Sequence, residues 1–519
     1  MPNLTIDGQR VDVPDGATVL DAARALGIAI PALCHRDGFR PSTSCMACVV
    51  KDLRSGRLVP SCTAQVAEGM EIASETDEVR AARRHALELL LSDHPADCLA
   101  PCETVCPAGM AIPTMIRQIA AGDVRAAAAT ARAALVLPAT LGRVCPAPCE
   151  KGCRRGQHDA PVAIRLLHRF AADEDLAIGA AGQETRRAES GKRVAVVGAG
   201  PAGLAAAWHL RLAGHAVTVF DDHDAAGGAL RYAVEDAVLP PEVLDAEVAL
   251  IERLGAAFRF GTRVGQNVSL QDLTRDFDAV LVAVGNLEQA DALGLPTAKD
   301  GLEVDRDTRE TPTSGVFAAG DAVRPRKMAV RAVADGAAAA ACIDRYLAGE
   351  TPAAPDRPFT TRLGRPEPDE LAEFVATASP DDRTEPAGGA DAGFTPDEAA
   401  HEAPRCLHCD CRAADSCLLR RWADRYGAKP NRHTGTRRRV RILDRHPTVV
   451  YEPGKCISCG LCVQICEQRR ERLGLAFIGR GFEVRVGVPF DQAIADGLTE
   501  AAAACAEVCP TGALALKET

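Results

Sequence analysis

The sequence predicts a multidomain protein of mixed α/β and α+β class. Its 519 residues exceed the size of one domain and suit three to five. A Gly-rich turn lies between two apolar strands near the middle, and 20 of the 21 cysteines fall into short groups on either side of it. Cys342 stands alone in an Ala-rich helix and is expected to be a small core residue. We predict five regions, which cover residues 1–76, 77–189, 190–349, 350–394 and 395–519.

Composition excludes several classes of function. The net charge of −11 gives no basic footprint for nucleic acid. No run of 18 apolar residues predicts a membrane span, and the N-terminus lacks the apolar core of a signal peptide, so a cytoplasmic location is expected. In such a chain, many closely spaced cysteines indicate bound metal, whereas disulfides in an oxidising compartment are the alternative.

The first region combines a small sheet with four cysteines. Residues 3–13 alternate apolar and polar around Asp7-Gly8, which predicts a hairpin, and a short helix is expected over 17–26. The spacing C-x10-C-x2-C-x13-C then follows, in Cys34, Cys45, Cys48 and Cys62. This pattern resembles the [2Fe–2S] domain at the start of the electron-input subunit of complex I. The resemblance implies a β-grasp [2Fe–2S] ferredoxin domain, with zinc as the competing occupant of four cysteines.

The second region begins with an amphipathic helix over 78–91 and continues with His94, Cys98, Cys102 and Cys106. Prolines between these residues argue against one continuous helix and favour ligand loops. The helix and its tail resemble the complex I segment in which a His and three Cys hold a cluster.

From Cys106 onward the sequence resembles the N-terminal domain of the glutamate synthase small subunit and dihydropyrimidine dehydrogenase. That helical domain carries two [4Fe–4S] clusters. The resemblance implies a first ligand set of His94, Cys98, Cys102 and Cys153. It implies a second set of Cys106, Cys145, Cys149 and His168, which stands where the family has Gln or Glu. Alternatively, His94 is a solvated histidine at a helix end and His168 a packed helix residue.

The third region contains a nucleotide-binding pattern. A buried strand, the turn Gly198-x-Gly200-x-x-Gly203, a helix and a second strand ending in Asp221 follow one another. Later segments resemble the FAD-contacting strands of the same family. They contribute the further FAD-binding candidates Gly228, Arg231, Gly285, Gly320 and Asp321. The resemblance implies a Rossmann-like FAD domain, and a fold without cofactor is the alternative.

One part of that family's pattern is missing. The family inserts a second Rossmann domain, which binds NADPH, between the strands that end near Gly285 and begin near Gly315. Here about thirty residues separate these positions, the length of a single βαβ unit. The sequence therefore predicts an FAD domain without the NADPH-binding insertion, so its electrons must come through the clusters, from a partner or from an unknown substrate.

The last region follows a linker over 350–394. Thr395 and Glu398 predict a capping box that starts a helix. The helix leads into C-x2-C-x1-C-x5-C, formed by Cys406, Cys409, Cys411 and Cys417. This group suits a [4Fe–4S] cluster or a structural zinc ion.

A bacterial ferredoxin run then follows. Its spacing C-x2-C-x2-C-x3-C is formed by Cys456, Cys459, Cys462 and Cys466, and Cys505 and Cys509 remain of a second run. In the ferredoxin-like fold the first three residues should share a cluster with Cys509. Cys466 and Cys505 then lack two partners. Either their cluster is lost, or it takes cysteines from the 406–417 group.

Together these patterns predict an electron-transfer subunit with FAD, one [2Fe–2S] and three to four [4Fe–4S] clusters. No residue has the setting of a nucleophile or general base, so no catalytic side chain is expected. The resemblance implies a multisubunit NAD-linked oxidoreductase. Its partners would be an NADH-oxidising FMN subunit, a formate dehydrogenase-like or hydrogenase-like catalytic subunit, and possibly ferredoxin. A free-standing NAD(P)H-dependent flavoprotein and a non-catalytic zinc-binding scaffold are the alternatives.

Overall fold

The computed structural model describes residues 1–179, 184–285, 288, 290, 292–299, 301–389, 391–433 and 435–517. The chain divides into two compact units, each discontinuous in sequence. The first unit comprises Met1–Ala100, Pro358–Thr377 and His408–Thr519. The second comprises Pro101–Arg357 and Ala378–Leu407.

The first unit opens with a five-stranded sheet. The strands run in the order β2-β1-β5-β3-β4, and only the β1–β5 pair is parallel. The elements are β1 Asn3–Ile6, β2 Gln9–Asp12, α1 Val19–Ala25, β3 Val49–Asp52, β4 Leu58–Pro60, β5 Met70–Ala73 and α2 Asp77–Leu91. The hairpin predicted around Asp7-Gly8 is confirmed, and both turn residues have positive φ.

The second unit opens with helices. They are α3 Pro101–Val105, α4 Ile112–Ala120, α5 Val124–Leu135, α6 Pro138–Val144, α7 Pro148–Lys151 and α8 Ile164–Ala177. Among the described residues no single helix has the length and apolar composition to cross a membrane, and only the pair α5 and α6, bent by 75°, has them jointly.

A parallel five-stranded sheet forms the rest of this unit, in the order β12-β9-β6-β7-β8. Its elements are β6 Arg193–Val197, α9 Pro201–Leu212, β7 Ala216–Phe220, α10 Ala229–Tyr232, α11 Pro241–Arg253, β8 Ala257–Arg259, α12 Leu270–Asp276, β9 Ala279–Val282, β10 Thr297–Ala298, β11 Gly301–Leu302, β12 Val316–Ala318 and α13 Ala329–Leu347. Between β9 and β12 the only strands among the described residues are the two-residue β10 and β11. Cys342 is fully buried in α13, as predicted for a small core residue.

The remaining helices and strands are α14 Pro368–Val375, α15 Pro396–Glu402, α16 Leu418–Arg425, β13 Val449–Tyr451, α17 Leu461–Arg469, β14 Ala476–Ile478, β15 Arg485–Gly487, α18 Ile494–Gly497, α19 Ala502–Val508 and β16 Leu514–Leu516. Of these, α15 belongs to the second unit and the others to the first. Strand β13 pairs with β16, and β14 with β15, both antiparallel. Short 3-10 turns occupy Arg154–Gln157, Gly320–Ala322, Ala403–Arg405, Pro453–Lys455, Gly481–Glu483 and Pro489–Asp491.

Two sequence expectations in this stretch have different outcomes. The capping box of Thr395 and Glu398 is present at the start of α15. In contrast, part of the segment interpreted as a linker packs into the first unit. The Thr361 hydroxyl donates to the carbonyl of Ala96 at 2.7 Å, and Glu370 is 1% exposed with Arg437 bound to its carboxylate at 2.7 Å. The weak apolar periodicity of this segment did not reveal the packing, because polar contacts rather than an apolar helix face hold the segment in place.

A buried ion pair in the second unit fixes the segment before Cys406. Glu402 and Arg405 have fully buried side chains, joined at 3.0 Å. The Glu402 carboxylate also accepts the backbone N–H groups of Ala163 and Thr384, each at 2.8 Å. Buried charges that are paired and hydrogen-bonded in this way are costly to separate.

We therefore expect Glu402→Ala to destabilise the second unit by about 3–5 kcal/mol, because it leaves buried Arg405 with only the partly exposed Asp159 carboxylate and leaves two backbone N–H groups without their acceptor. Thermal unfolding followed by circular dichroism measures the effect. Asp276→Ala is the control, since Asp276 pairs with Arg275 on the surface and its loss should leave the midpoint unchanged. Equal midpoints for Glu402→Ala and the wild type would contradict a structural role for the pair.

Candidate functional site

Four buried thiols converge beside the N-terminal sheet. Cys34, Cys45, Cys48 and Cys62 are each at most 2% exposed, and the Sγ atoms of Cys48 and Cys62 lie 3.4 Å apart. Hydrogen bonds from the thiols of Cys45 and Cys62 lower the pKa of Cys34. Thr43 and Met46, in the loop between the first three cysteines, have positive φ, a backbone conformation that non-glycine residues rarely adopt. The four predicted ligands therefore share one pocket.

The ferredoxin run forms a second group in the first unit. Cys456, Cys459, Cys462 and Cys509 line one small cavity, together with Tyr451. Burial raises the pKa of Cys456 to about 11 and of Cys459 to about 12, so these thiols would ionise at neutral pH only beside a cation. A metal cluster supplies that positive charge, and the donor set fits it.

Cys466 and Cys505 lie apart from that cavity and form a pair. Their Sγ atoms are 3.9 Å apart, and both residues are buried. The backbone N–H of Leu475 donates to the Cys466 thiol at 3.3 Å. Neither residue lines the cavity, although the Cys505 thiol donates to the carbonyl oxygen of Cys462 at 3.6 Å.

A third group of the first unit joins residues that are distant in sequence. The backbone N–H of Cys411 donates to the carbonyl of Cys98 at 3.3 Å. Burial raises the pKa of Cys417 to about 12, and the neighbouring thiols of Cys411 and Cys98 add to this rise. The Cys98 thiol also lies 3.3 Å from the hydroxyl of Thr361.

His94 and Lys455 belong to the same neighbourhood. Burial and the positive charges of Lys455 and Arg438 lower the pKa of His94 to about 3, so its imidazole is neutral at physiological pH. Lys455 binds Glu452 at 2.7 Å, and both are 7% exposed. Although burial opposes the charged form of Lys455, the Cys411 thiol and the Glu452 carboxylate raise its pKa. A neutral imidazole and the Cys411 thiol thus lie near a fixed positive charge.

In the second unit, Cys106, Cys145 and Cys149 approach one another. Burial raises the pKa of Cys149, and the charges of Cys106 and Cys145 contribute to the rise. Helix α8 carries His168, which is 3% exposed and whose Nδ1 lies 3.2 Å from the carbonyl oxygen of Pro138. Burial lowers the pKa of His168 to about 4. Its imidazole is therefore neutral, the form that binds metals.

Cys102, Cys153 and Cys406 also lie in the second unit. A Cβ atom added at Gly152, next to Cys153, would lie 3.3 Å from the carbonyl oxygen of Pro101, next to Cys102. The Arg155 side chain donates to the carbonyl of Arg405, next to Cys406, at 3.1 Å. Cys409, three residues further along, belongs to the first unit. The group Cys406–Cys417 is therefore divided in the structure, although the sequence presents it as one run.

The Gly-rich turn of the parallel sheet borders an open groove of about 280 Å³. Six of the nine FAD-binding candidates line it, namely Gly198, Gly200, Asp221, Gly228, Gly285 and Asp321. A Cβ atom at Gly203 would lie 1.9 Å from the Gly198 carbonyl oxygen, so only glycine lets α9 approach the turn. The N-terminus of α9 therefore faces the groove, which suits a pyrophosphate.

Three candidates and Asp221 have other contacts. Gly203 and Gly320 pack beneath the groove, where a Cβ at Gly320 would meet that of Ala202 at 3.0 Å. Arg231 donates to the Ala226 carbonyl at 2.6 Å. Asp221 accepts the backbone N–H of Ala199 at 2.6 Å and so supports the turn as well as lining the groove.

Sequence reasoning missed several polar groove residues. Asp222, His223, Tyr232 and Arg263 line the groove, and the rings of His223 and Tyr232 stack with centroids 4.3 Å apart. The position of Asp222 and His223 directly after β7 was the available signal. Arg263 lies beyond β8, so only the order of strands in the sheet brings it here.

A second, larger cavity of about 1140 Å³ lies in the same unit and is strongly basic. Eight Arg or Lys side chains and three carboxylates line it, an excess of five positive charges in a chain whose net charge is −11. Arg306, Arg324 and Arg357 are among these cations and form no salt bridge with the described residues.

Comparisons with known proteins identify three domains. Residues 2–77 match the 2Fe-2S iron-sulfur cluster binding domain, and residues 76–180 match dihydropyrimidine dehydrogenase domain II with its 4Fe-4S cluster. Residues 184–336 match the pyridine nucleotide-disulphide oxidoreductase domain.

Curated relatives resemble parts of the chain. The NADP(+)-dependent formate dehydrogenase subunit beta of Moorella thermoacetica is 39% identical over 223 residues, which are 39% of this chain and 31% of the relative. The glutamate synthase (NADPH) small chain of Mycobacterium tuberculosis is 40% identical over 190 residues, 36% of this chain and 39% of the relative. The NAD-dependent dihydropyrimidine dehydrogenase subunit PreT of Escherichia coli is 39% identical over 188 residues, 36% of this chain and 45% of the relative.

The chain therefore spans less than half the length of each of these relatives. The resemblances inferred from the sequence, to [2Fe–2S] domains and to the glutamate synthase and dihydropyrimidine dehydrogenase type, are confirmed. The chain thus contains three matched domains: a 2Fe-2S domain, a dihydropyrimidine dehydrogenase-type 4Fe-4S domain and a pyridine nucleotide-disulphide oxidoreductase domain.

Proposed function

We propose that this protein is the electron-transfer subunit of a multisubunit, NAD-linked oxidoreductase. The observation that carries the proposal is the convergence of buried or half-buried, unbridged thiols in both units, with a nucleotide groove in the second. When bound, FAD would take up two electrons and release them one at a time, and the clusters would exchange them singly. The residues of the chain hold and insulate these groups, and none is proposed as a catalytic residue.

The ligand sets of two clusters follow the sequence expectation. Cys34, Cys45, Cys48 and Cys62 hold the [2Fe–2S] cluster of a β-grasp domain. Cys456, Cys459, Cys462 and Cys509 hold one [4Fe–4S] cluster of a ferredoxin-like domain. The first assignment is supported by the 3.4 Å distance between the Sγ atoms of Cys48 and Cys62. The second is supported by the cavity that its four cysteines line.

A third set differs from the sequence expectation. We assign Cys98, Cys411 and Cys417 to one [4Fe–4S] cluster, with His94 as its fourth ligand, instead of grouping Cys98 with Cys102 and Cys153. This set is supported by the backbone hydrogen bond from Cys411 to Cys98. It is also supported by the charge of Lys455, which acts on both His94 and Cys411.

In the second unit, Cys106, Cys145 and Cys149 are assigned to another [4Fe–4S] cluster, with His168 as the non-cysteine ligand. Cys102, Cys153 and Cys406 supply thiols for a further one. Cys409 stays a candidate ligand from the sequence. Four [4Fe–4S] clusters result, and zinc is the alternative only for the cysteines between 406 and 417.

The partners follow from the relatives. A formate dehydrogenase subunit is among them, which supports a complex with a formate dehydrogenase-like or hydrogenase-like catalytic subunit. An NADH-oxidising FMN subunit would exchange electrons with this chain in the cytoplasm, and ferredoxin is a further candidate. Native purification from the source cells tests this. Co-purification of both subunits is expected, and a chain that elutes alone with full activity would refute the assignment.

The basic cavity favours a second candidate function. Its volume and its positive charge suit a phosphorylated nucleotide, so a free-standing NAD(P)H-dependent oxidoreductase is the alternative.

NADPH should not reduce the isolated, FAD-loaded chain, because the described residues between β9 and β12 form no nucleotide-binding domain. Anaerobic mixing, followed at the flavin absorbance band, measures this. Dithionite provides the positive control and should bleach the band. Rapid bleaching by NADPH or NADH would establish the alternative function.

Substituting Cys509→Ser should remove one [4Fe–4S] cluster, and therefore about four iron atoms per chain. Cys466→Ser is the matched control, because Cys466 pairs with Cys505 outside the cavity. Iron and sulfide analysis with low-temperature electron paramagnetic resonance compares the two. Loss of the same signal in both variants would show that Cys466 serves this cluster.

Gly203→Ala should lower flavin retention about tenfold, because overpacking against the Gly198 carbonyl costs roughly 1–3 kcal/mol at the turn. The flavin-to-protein ratio after gel filtration measures it. Gly435→Ala serves as control, since among the described residues, its chain neighbours apart, none has an atom within 4 Å of a Cβ there. Full flavin content in Gly203→Ala would exclude this turn as the binding element.

A further inference from the structure

A cluster of two histidines and one glutamate in the first unit lies outside every thiol group. His85 and Glu88 are three residues apart on α2 and so share a face of that helix. His433 reaches them from the segment after α16. One ligand atom from each residue lies within 4.8 Å of those from the other two. We infer that His85, Glu88 and His433 bind one zinc ion.

A bound cation would pair with a buried imidazole nitrogen of His433 and with the carboxylate of Glu88. The Nε2 atom of His433 is buried and has no hydrogen-bond partner among the described residues. Leaving such a group unpaired costs about 1–3 kcal/mol. Glu88 is 7% exposed, and no described residue forms a salt bridge with it. Buried carboxylates are usually paired or bound to metals, so one ion would meet both needs.

The surrounding contacts hold the three residues in place. The backbone N–H of Lys429 donates to Oε1 of Glu88 at 3.1 Å, which leaves Oε2 for a metal. Arg83, one turn earlier on α2, donates to the Tyr426 hydroxyl at 2.6 Å. These two bonds tie α2 to the segment that carries His433. Outer contacts of this kind orient metal ligands and raise affinity.

The donor set suits a divalent transition metal, and zinc is the ion proposed here. Two imidazoles and one carboxylate are ligands of zinc, which binds them at about 2.0–2.2 Å in tetrahedral geometry and leaves a fourth position for water. Magnesium and calcium prefer oxygen ligands only, and no thiol is present for an iron–sulfur cluster. The rings of His85 and His433 meet edge to face, with centroids 5.2 Å apart, so a small shift of exposed His85 brings its nitrogen into range.

Zinc binding to purified, iron-loaded protein tests this inference. After treatment with chelating resin, the chain is incubated with zinc chloride, desalted, and analysed for zinc, iron and sulfide. We expect the wild type to retain one more zinc per chain than His433→Ala and Glu88→Gln, which should bind zinc at least about tenfold more weakly. His401→Ala is the control, since this exposed histidine lies in the second unit.

His85→Ala keeps the test decisive if a buried variant fails to fold, because His85 is exposed. Zinc that enters cysteine sites adds equally to all variants of equal iron content, so only the difference between variants counts. Visible absorption of bound Co²⁺ gives a second measurement, which the variants should abolish. Equal zinc content in the wild type, His85→Ala and His433→Ala would overturn the inference. The proposed electron-transfer function does not depend on this outcome.

Discussion

The burial of many thiols is the constraint on which the rest of this structure depends. A buried thiol resists ionisation, as the raised pKa values of Cys417, Cys456 and Cys459 illustrate. Several such thiols packed together lose solvation without gaining strong partners. Binding to iron reverses this balance, because the cation favours the thiolates. The free energy of cluster binding is therefore also free energy of folding for the regions that supply the ligands.

The protein environment adds charge at one of these sites. Lys455 is held by Glu452 in the interior of the first unit and lies near both Cys411 and His94. A buried ammonium is tolerated there because the carboxylate and the thiol favour its charged form. Its charge would offset that of the proposed thiolate ligands, and together with burial it keeps His94 neutral, the form of imidazole that binds metals. The Lys455–Glu452 ion pair is thus part of the buried interior of the first unit and also affects the charge of the proposed cluster ligands.

The sequence predicts those ligands whose partners are close along the chain. The spacing of Cys456, Cys459 and Cys462, and the strand-turn-helix pattern around Gly203, encode local geometry directly. Sequence spacing could not place Cys98 beside Cys411, since more than 300 residues separate them and nothing local records the return of the chain. The same holds for His433 beside α2, and for Arg263 in the flavin groove.

The contact between Cys98 and Cys411 also explains how so long an excursion is accommodated. Closing a flexible loop costs entropy that grows only with the logarithm of its length. Here most of the loop folds into a unit with its own sheet and buried core, so its effective length is far shorter than its residue count. Two hydrogen bonds then hold the returning segments in the first unit. The backbone N–H of Cys411 donates to the carbonyl of Cys98, and the Thr361 hydroxyl donates to the carbonyl of Ala96. The proposed ligand set can therefore be split by a folded insertion, because the insertion folds on its own core and the cluster would need only to join the two ends of the chain on either side of it.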